Sequence, residues 1–133
     1  MKLFILDEHS EAMILAIQLE SGVVVSPLTE LEVAVQVRGI HLGGGMRSAR
    51  YIRVREQLAE TIANDPFIIR PMVSRVFSTA IAQNAQTTSH CRSLDRLHLA
   101  AMEELGINRL MTHDGRQAEA ARELGYEVLS PGL

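Results

Sequence analysis

"RSLDRLHLAAMEELGINRLMTHDGRQAEAARELGYEVLS", residues 92–130, reads as helix, strand, helix, strand. Residues 94–105 carry apolar side chains at helical spacing and meet a stop at Gly106. "NRLMT" has the length and centre of a short strand. "GRQAEAARELG" returns to helical spacing and stops at Gly125, and "YEVLS" reads as a final strand. Strands separated by a helix pair in parallel, because the crossover brings the chain back to the same end of the sheet. This stretch therefore predicts an α/β fold with parallel strands. It also places two aspartates, Asp95 and Asp114, at the starts of its two helices.

The front of the chain repeats the alternation. "KLFIL" is a short apolar run with the pattern of a strand buried on both faces. "SEAMILAIQLESG" has Ala12, Leu15, Ala16 and Leu19 at helical spacing, with Gly22 as a stop. "VVVS" reads as a second strand. Pro27 and Thr29 open a helix, "TELEVAVQVRG", that ends at Gly39. "HLGGGM" matches neither nucleotide-binding glycine motif and follows no strand, so it reads as a flexible connection between helices. "RSARYIRVREQLAETIAND" is a charged amphipathic helix with Ile52, Leu58 and Ile62 as expected core contacts, broken at Asp65-Pro66. "FIIRPM" is a short edge strand, residues 73–82 a helix and "QNAQTTSH" a loop. No internal repeat, low-complexity tract or linker interrupts residues 1–133, so a single domain is expected.

Composition narrows the class. A chain of 133 residues that is 47% hydrophobic can build a packed core without cross-links. Its one cysteine, Cys91, cannot form an internal disulfide. No apolar run is long enough to span a bilayer, and the opening run is too short for a signal peptide. A soluble cytoplasmic protein without membrane partners is the expectation. The net charge of −3 argues against strong global attraction to nucleic acid. Twelve of the 13 basic residues are arginine, and Arg38, Arg47, Arg50, Arg53 and Arg55 crowd one short stretch. Two readings of that stretch stay open: a salt-bridged, solvated helix face, or a phosphate-binding patch beside an acidic pocket.

Four acids carry the chemistry: Asp7, Glu32, Asp95 and Asp114. Each has a plain structural explanation. Thr29-x-x-Glu32 matches a capping box, Ser93 can cap the helix whose first turn holds Asp95, and Asp114 can cap the next helix with Gln117 three residues on. Asp7, Glu32 and Asp114 also each follow a strand of the predicted parallel sheet. The loops after parallel strands emerge on one edge, where ligands bind. Carboxylates gathered there repel one another, and a hard divalent cation relieves the repulsion. Such a site activates water and steadies charge on a phosphodiester.

Other chemistries fit less well. His9, His41, His90, His98 and His113 show no zinc spacing with Cys91. His98 reads as a packed histidine, and Cys91 as a small, inert thiol. Thr112 is either a polar helper that positions water or phosphate, or a strand-end threonine with a structural role. With no tryptophan and only Tyr51 and Tyr126 as tyrosines, a base-stacking platform is not expected.

"SPLTELEVAVQVR", "RSLDRLHLAAMEELG" and "LMTHDGRQAEAARELGYEVLSP" resemble the PIN-domain nucleases, and among them the VapC-type toxins of bacterial toxin–antitoxin pairs. The resemblance covers most of the chain and is weakest over residues 40–90. It implies a three-layer α/β sandwich around a mainly parallel sheet. It further implies Mg²⁺- or Mn²⁺-dependent endoribonuclease activity, commonly as a homodimer neutralised by a small antitoxin. Matched residue by residue, Glu32, Asp95 and Asp114 resemble the family's metal-site acids. Thr112 resembles its polar helper, and Arg92 and Arg116 its flanking, RNA-facing arginines.

The front departs from the family pattern, and two registers stay open. In one, "KLFIL" is the opening strand and Asp7 the first acid, with Glu8-His9 in place of the usual small-polar pair. In the other, "KLFILDEHSEA" matches what ordinarily follows the first acid, and the domain is truncated at its N-terminus. Sequence likeness favours the second. Folding physics favours the first, because losing a central strand exposes apolar surface and unpaired backbone. The expected activity is RNA cleavage at a metal held by these acids. The alternative is a catalytically impaired PIN-like module that acts by binding an antitoxin or a dimer partner.

Overall fold

The structure is a computed structural model and describes residues 12, 15–20 and 22–131. The "KLFIL" run and Asp7 lie outside the described residues. Residues 15–18 are helical, in the stretch where helical spacing predicts it. The chain divides into two compact units, one of Ile17–Pro71 and one from Met72 onward.

The first unit runs β1 (Val23–Val25), α1 (Pro27–Leu42), α2 (Ser48–Ile62) and β2 (Phe67–Ile69). β1 and β2 pair in parallel, with Val23 opposite Phe67 and Val25 opposite Ile69. The ladder is extended by Val23 N–H donating to the Pro66 carbonyl and Arg70 N–H to that of Val25. Gly22 lies beside the strands, next to the movable end of the exposed Ile68 side chain. A Cβ there would meet the Ile68 Cδ1 atom at 2.9 Å. Ile17, Val25, Val33, Val37 and Leu58 are the unit's buried apolar residues.

Three expectations are corrected in this unit. The cap of α1 is Ser26, whose Oγ accepts from Thr29 N–H at 3.3 Å. Thr29 therefore sits inside the first turn and the Thr29/Glu32 capping box does not form, because Pro27 at the first helical position starts the helix earlier. The helix also passes through Gly39 to Leu42. A lone glycine costs a helix only about 1 kcal/mol relative to alanine. The stop lies at the glycine run, where Gly44 takes φ +84° and Gly43 N–H closes on the Gly39 carbonyl. Finally, Leu58 is buried and Ile62 half-buried, but Ile52 is exposed. Six residues at 3.6 per turn place Ile52 roughly 120° around the helix from Leu58.

The second unit runs α3 (Val76–Gln86), α4 (Ser93–Leu105), β3 (Arg109–Met111), α5 (Gly115–Glu123) and β4 (Glu127–Leu129). β3 and β4 are parallel, Arg109 opposite Glu127 and Met111 opposite Leu129, so β3–α5–β4 is the strand–helix–strand unit that the sequence predicts. Gly106 takes φ +69°, with Ile107 N–H on the Met102 carbonyl, so α4 stops where expected. Leu99, Met102, Cys91, Ala120 and Ala121 form one core cluster, against which Leu110, Tyr126 and Val128 pack. The alanines let α4 and α5 approach closely. A second cluster, Val76, Ala80, Ala100 and Ala101, seals α3 against α4.

α3 starts three residues later than expected and continues to Gln86, into the stretch read as a loop. The cause is tertiary. Gln83 is buried, and its amide donates to the Tyr126 hydroxyl, which donates to the Leu99 carbonyl. Among the described residues, the strands pair as two separate two-stranded parallel sheets. No described helix is long and apolar enough to cross a membrane.

Candidate functional site

The second unit builds its site where β3 hands over to α5. Thr112 N–H donates to the Leu129 carbonyl and so continues the β3–β4 ladder by one residue. The Ser130 hydroxyl closes on the Thr112 carbonyl at 2.7 Å. The His113 Nε2 atom lies 2.6 Å from the Pro131 carbonyl, which can only accept, so Nε2 carries the proton. These bonds hold the short segment that ends in Asp114.

Asp114 is the N-cap of α5. Its Oδ1 accepts from the backbone N–H groups of Arg116 at 2.9 Å and Gln117 at 3.3 Å. The reciprocal half of the expected capping box is made differently. The backbone N–H of Asp114 donates to the Thr112 hydroxyl, and that hydroxyl donates to the Gln117 Oε1 atom at 2.9 Å. Thr112 and Gln117 are both buried. The threonine proton is thus engaged with Gln117, and the pair fixes the backbone from which Asp114 projects. Gln117 was visible in the sequence only as a capping partner, since a helical period does not report which way its amide turns.

Asp95 lies in the first turn of α4, where its charge complements the helix dipole. The N-cap is Arg92 and makes no side-chain capping bond, so the expected cap at Ser93 is not formed and Ser93 is the first helical residue. Arg92 has another engagement. Its Nε lies 3.3 Å from Asp95 Oδ2, and its Nη2 lies 3.7 Å from Asp114 Oδ2. One guanidinium therefore spans both carboxylates. Its side chain is 78% exposed and Asp95 only 11%, so a screened, mobile cation sits over a sheltered acid. Ion pairs so exposed contribute at most about 1 kcal/mol.

The two oxygens of Asp114 divide their work. Oδ1 serves the helix and Oδ2 faces the cation, so neither role excludes the other. Two hard carboxylate oxygens that already share a cation fit the donor chemistry of Mg²⁺ or Mn²⁺, which keeps several waters and needs few protein ligands. Among the described residues, no three His, Cys, Asp or Glu stand together as a metal-holding group. Glu32 is half-buried in the second turn of α1, within the first unit, and Asp7 lies outside the described residues.

Cys91 is a free, buried thiol. Burial pushes its pKa up, as do Asp95 and Asp114, against the pull of Arg96. Its burial fits the small buried or inert thiol that the sequence suggested. Arg96 is itself buried; its Nη2 donates to the Ser89 carbonyl, while Nε and Nη1 have no hydrogen-bond partner among the described residues. Arg116 is exposed at the start of α5.

The sequence also gave no sign of the clamp made by Glu123. Its carboxylate accepts from Thr88 N–H at 2.7 Å, Ser89 N–H at 2.8 Å and the Thr88 and Ser89 hydroxyls. The Ser89 hydroxyl first and the Thr88 amide second hold its pKa down at about 2. This bond set ties the end of α5 to the segment that leads into Arg92. An acid at a helix end and two hydroxyls in a polar loop are visible separately, but their pairing over some 35 residues is not.

The model of the PIN domain matches residues 2–123. The chain belongs to the PIN-domain family. Ribonuclease VapC46 of Mycobacterium tuberculosis is 45% identical to it over 42 residues, which cover 30% of this chain and 32% of that protein. The match thus spans about a third of the length of the curated relative. No solved structure matches the chain.

Proposed function

We propose that this chain is a VapC-like, Mg²⁺- or Mn²⁺-dependent endoribonuclease. The observation that carries the reading is the single guanidinium of Arg92 shared by Asp95 and Asp114. Those two acids would hold the metal, with Glu32 and Asp7 as further ligands supplied by the family's three-layer sandwich. When bound, a divalent ion supplies an activated water and positive charge for a phosphodiester. The chain's own residues do the rest. Thr112 and Gln117 hold the Asp114 backbone still. Arg92, with its exposed guanidinium beside both acids, and Arg116, exposed at the start of α5, would meet RNA phosphate.

The test is cleavage of a labelled RNA with and without Mn²⁺ by the wild type, Asp95→Asn and Asp114→Asn. Both variants should lose at least about a hundredfold in Mn²⁺-dependent rate, in the range seen when a group that orients the reacting centre is removed, with unchanged melting. Full cleavage by a rigorously purified Asp114→Asn chain would sink the assignment.

A second reading, binding to an antitoxin or a second copy, draws on exposed apolar pairs one turn apart. Leu31 and Val35 on α1, and Phe77 and Ile81 on α3, are each more than half exposed. Patches of this kind mark interaction sites. Light scattering of the purified chain checks the homodimer. A monomer at all concentrations would remove that part and leave the antitoxin as partner.

A further inference from the structure

The first unit carries a charged surface that the acid pair does not use. From residue 33 to residue 55 the chain has five arginines and no acid. The fold brings Arg38 and His41 of α1 against Tyr51 and Arg55 of α2. The His41 and Tyr51 rings stack with centroids 4.6 Å apart and planes 4° from parallel. The guanidinium carbons of Arg38 and Arg55 lie 5.2 and 5.5 Å from the Tyr51 centroid. His41 is oriented by its own bond, Nδ1 to the Met46 carbonyl at 2.7 Å, which also ties down the glycine turn. One ring therefore orders two like charges from two helices.

The ring stack and the His41 bond serve the turn between the helices, but they do not explain why the arginines gather there. None of the five arginines pairs with a carboxylate of the described residues. The salt-bridged helix face allowed by the sequence is not seen among the described residues. Arg47 is the N-cap of α2 and Arg50 lies in its first turn, with no acid there and no side-chain cap. Positive charge at that end opposes the helix dipole. Cation–π attraction offsets only about 0.5–1 kcal/mol per exposed pair. What relieves such a cluster is an external anion, and planar guanidiniums favour phosphate forks.

We infer that the Arg38–Tyr51–Arg55 cluster, extended by Arg47 and Arg50 at the start of α2, is a non-catalytic binding surface for the phosphate backbone of single-stranded RNA. A chain of phosphates suits it better than one small anion because the arginines are spread over both helices. The choice of RNA over an acidic peptide rests on the ribonuclease reading above. Tyr51 acts by holding the guanidiniums, since His41 already covers its ring, so binding is led by phosphate and tolerant of base identity.

The experiment is anisotropy of a fluorescent oligouridine with the whole chain in EDTA, so that cleavage plays no part. Wild-type chain should bind, with affinity falling steeply as salt rises. Arg38→Gln/Arg55→Gln should weaken binding about tenfold and lower the slope of log Kd against log salt by about 1.4, two phosphates at about 0.7 each for a single strand. Tyr51→Leu should weaken binding with the charge unchanged. Arg47→Gln/Arg50→Gln should also weaken it while α2 melts no lower, which separates binding from folding. Unchanged affinity and slope in the Arg38/Arg55 variant would overturn the proposal, as would wild-type chain that does not bind. Displacement of the RNA by polyglutamate at equal charge would overturn it in favour of an acidic peptide. A chain that cleaves nothing but binds oligouridine through these arginines would refute the nuclease and leave this surface standing.

Discussion

The two units handle charge in opposite ways. In the second, polar groups at the site are mostly engaged inside the unit: Asp95 with Arg92, Thr112 with Gln117, Asp114 with its own helix and Glu123 with the Thr88–Ser89 segment. In the first, five arginines stand exposed with no carboxylate partner among the described residues, and two of them, Arg38 and Arg55, lie over the Tyr51 ring. Internally satisfied polar groups hold a backbone to one geometry. Unsatisfied surface charge leaves that work to a ligand. The contrast separates a place built to position a few oxygens from a place built to attract a long anion.

The comparison breaks most readily at the core. Leu99→Ala removes a fully buried side chain between α4 and α5 and should cost about 3 kcal/mol. Denaturant titration reads it, and a loss under about 1 kcal/mol would mean that the second unit is not organised around this cluster. The arginine variants of the first unit should change stability hardly at all in the same titration.

Asp114 gives a smaller and sharper effect. Asp114→Ala should cost about 1 kcal/mol as a lost cap, whereas Asp114→Asn keeps a capping oxygen and should cost little. Equal destabilisation by both would show that the charge near Arg92, not the cap, stabilises α5. The pair of variants therefore assigns the two oxygens separately: Asn tests the cation, Ala tests the helix as well.

The smallest effect is that of Glu123, which is solvent-exposed. Its folded pKa, about 2, lies below the ordinary value of 4.5. Its contribution is therefore complete above pH 4.5 and is lost as pH falls towards 2. Glu123→Gln should lower the melting point at neutral pH and narrow the difference from wild type as acid is added through that window. A gap that stays constant down to the acid limit would mean that the Thr88–Ser89 clamp does not depend on ionisation.

The element types were written locally. Glycines at 106 and 125, apolar spacing in "LDRLHLAAMEEL" and a short β run in "NRLMT" each act within a few residues, and the structure follows them. Boundaries were less legible where a distant partner decides them. Gln83 reads as loop material but is helical because Tyr126, 43 residues away, supplies its hydrogen bond. Ser26 displaced Thr29 as a cap through the proline between them, a local effect that favoured one of two available hydroxyls. Ile52 looked like core because hydrophobicity does not report which side of α2 meets a neighbour.

The acids divide in the same way. That Asp95 and Asp114 begin helices follows from sequence, since capping and dipole preferences act over one turn. That they share one guanidinium does not, because Arg92 reaches Asp114 across the join between α4 and α5. By itself the sequence determined strand, helix and cap, which depend on neighbours along the chain. Only the tertiary structure decided which oxygen of Asp114 faced the Arg92 cation, and which arginines had no acid beside them among the described residues, because both depend on what the fold brings alongside.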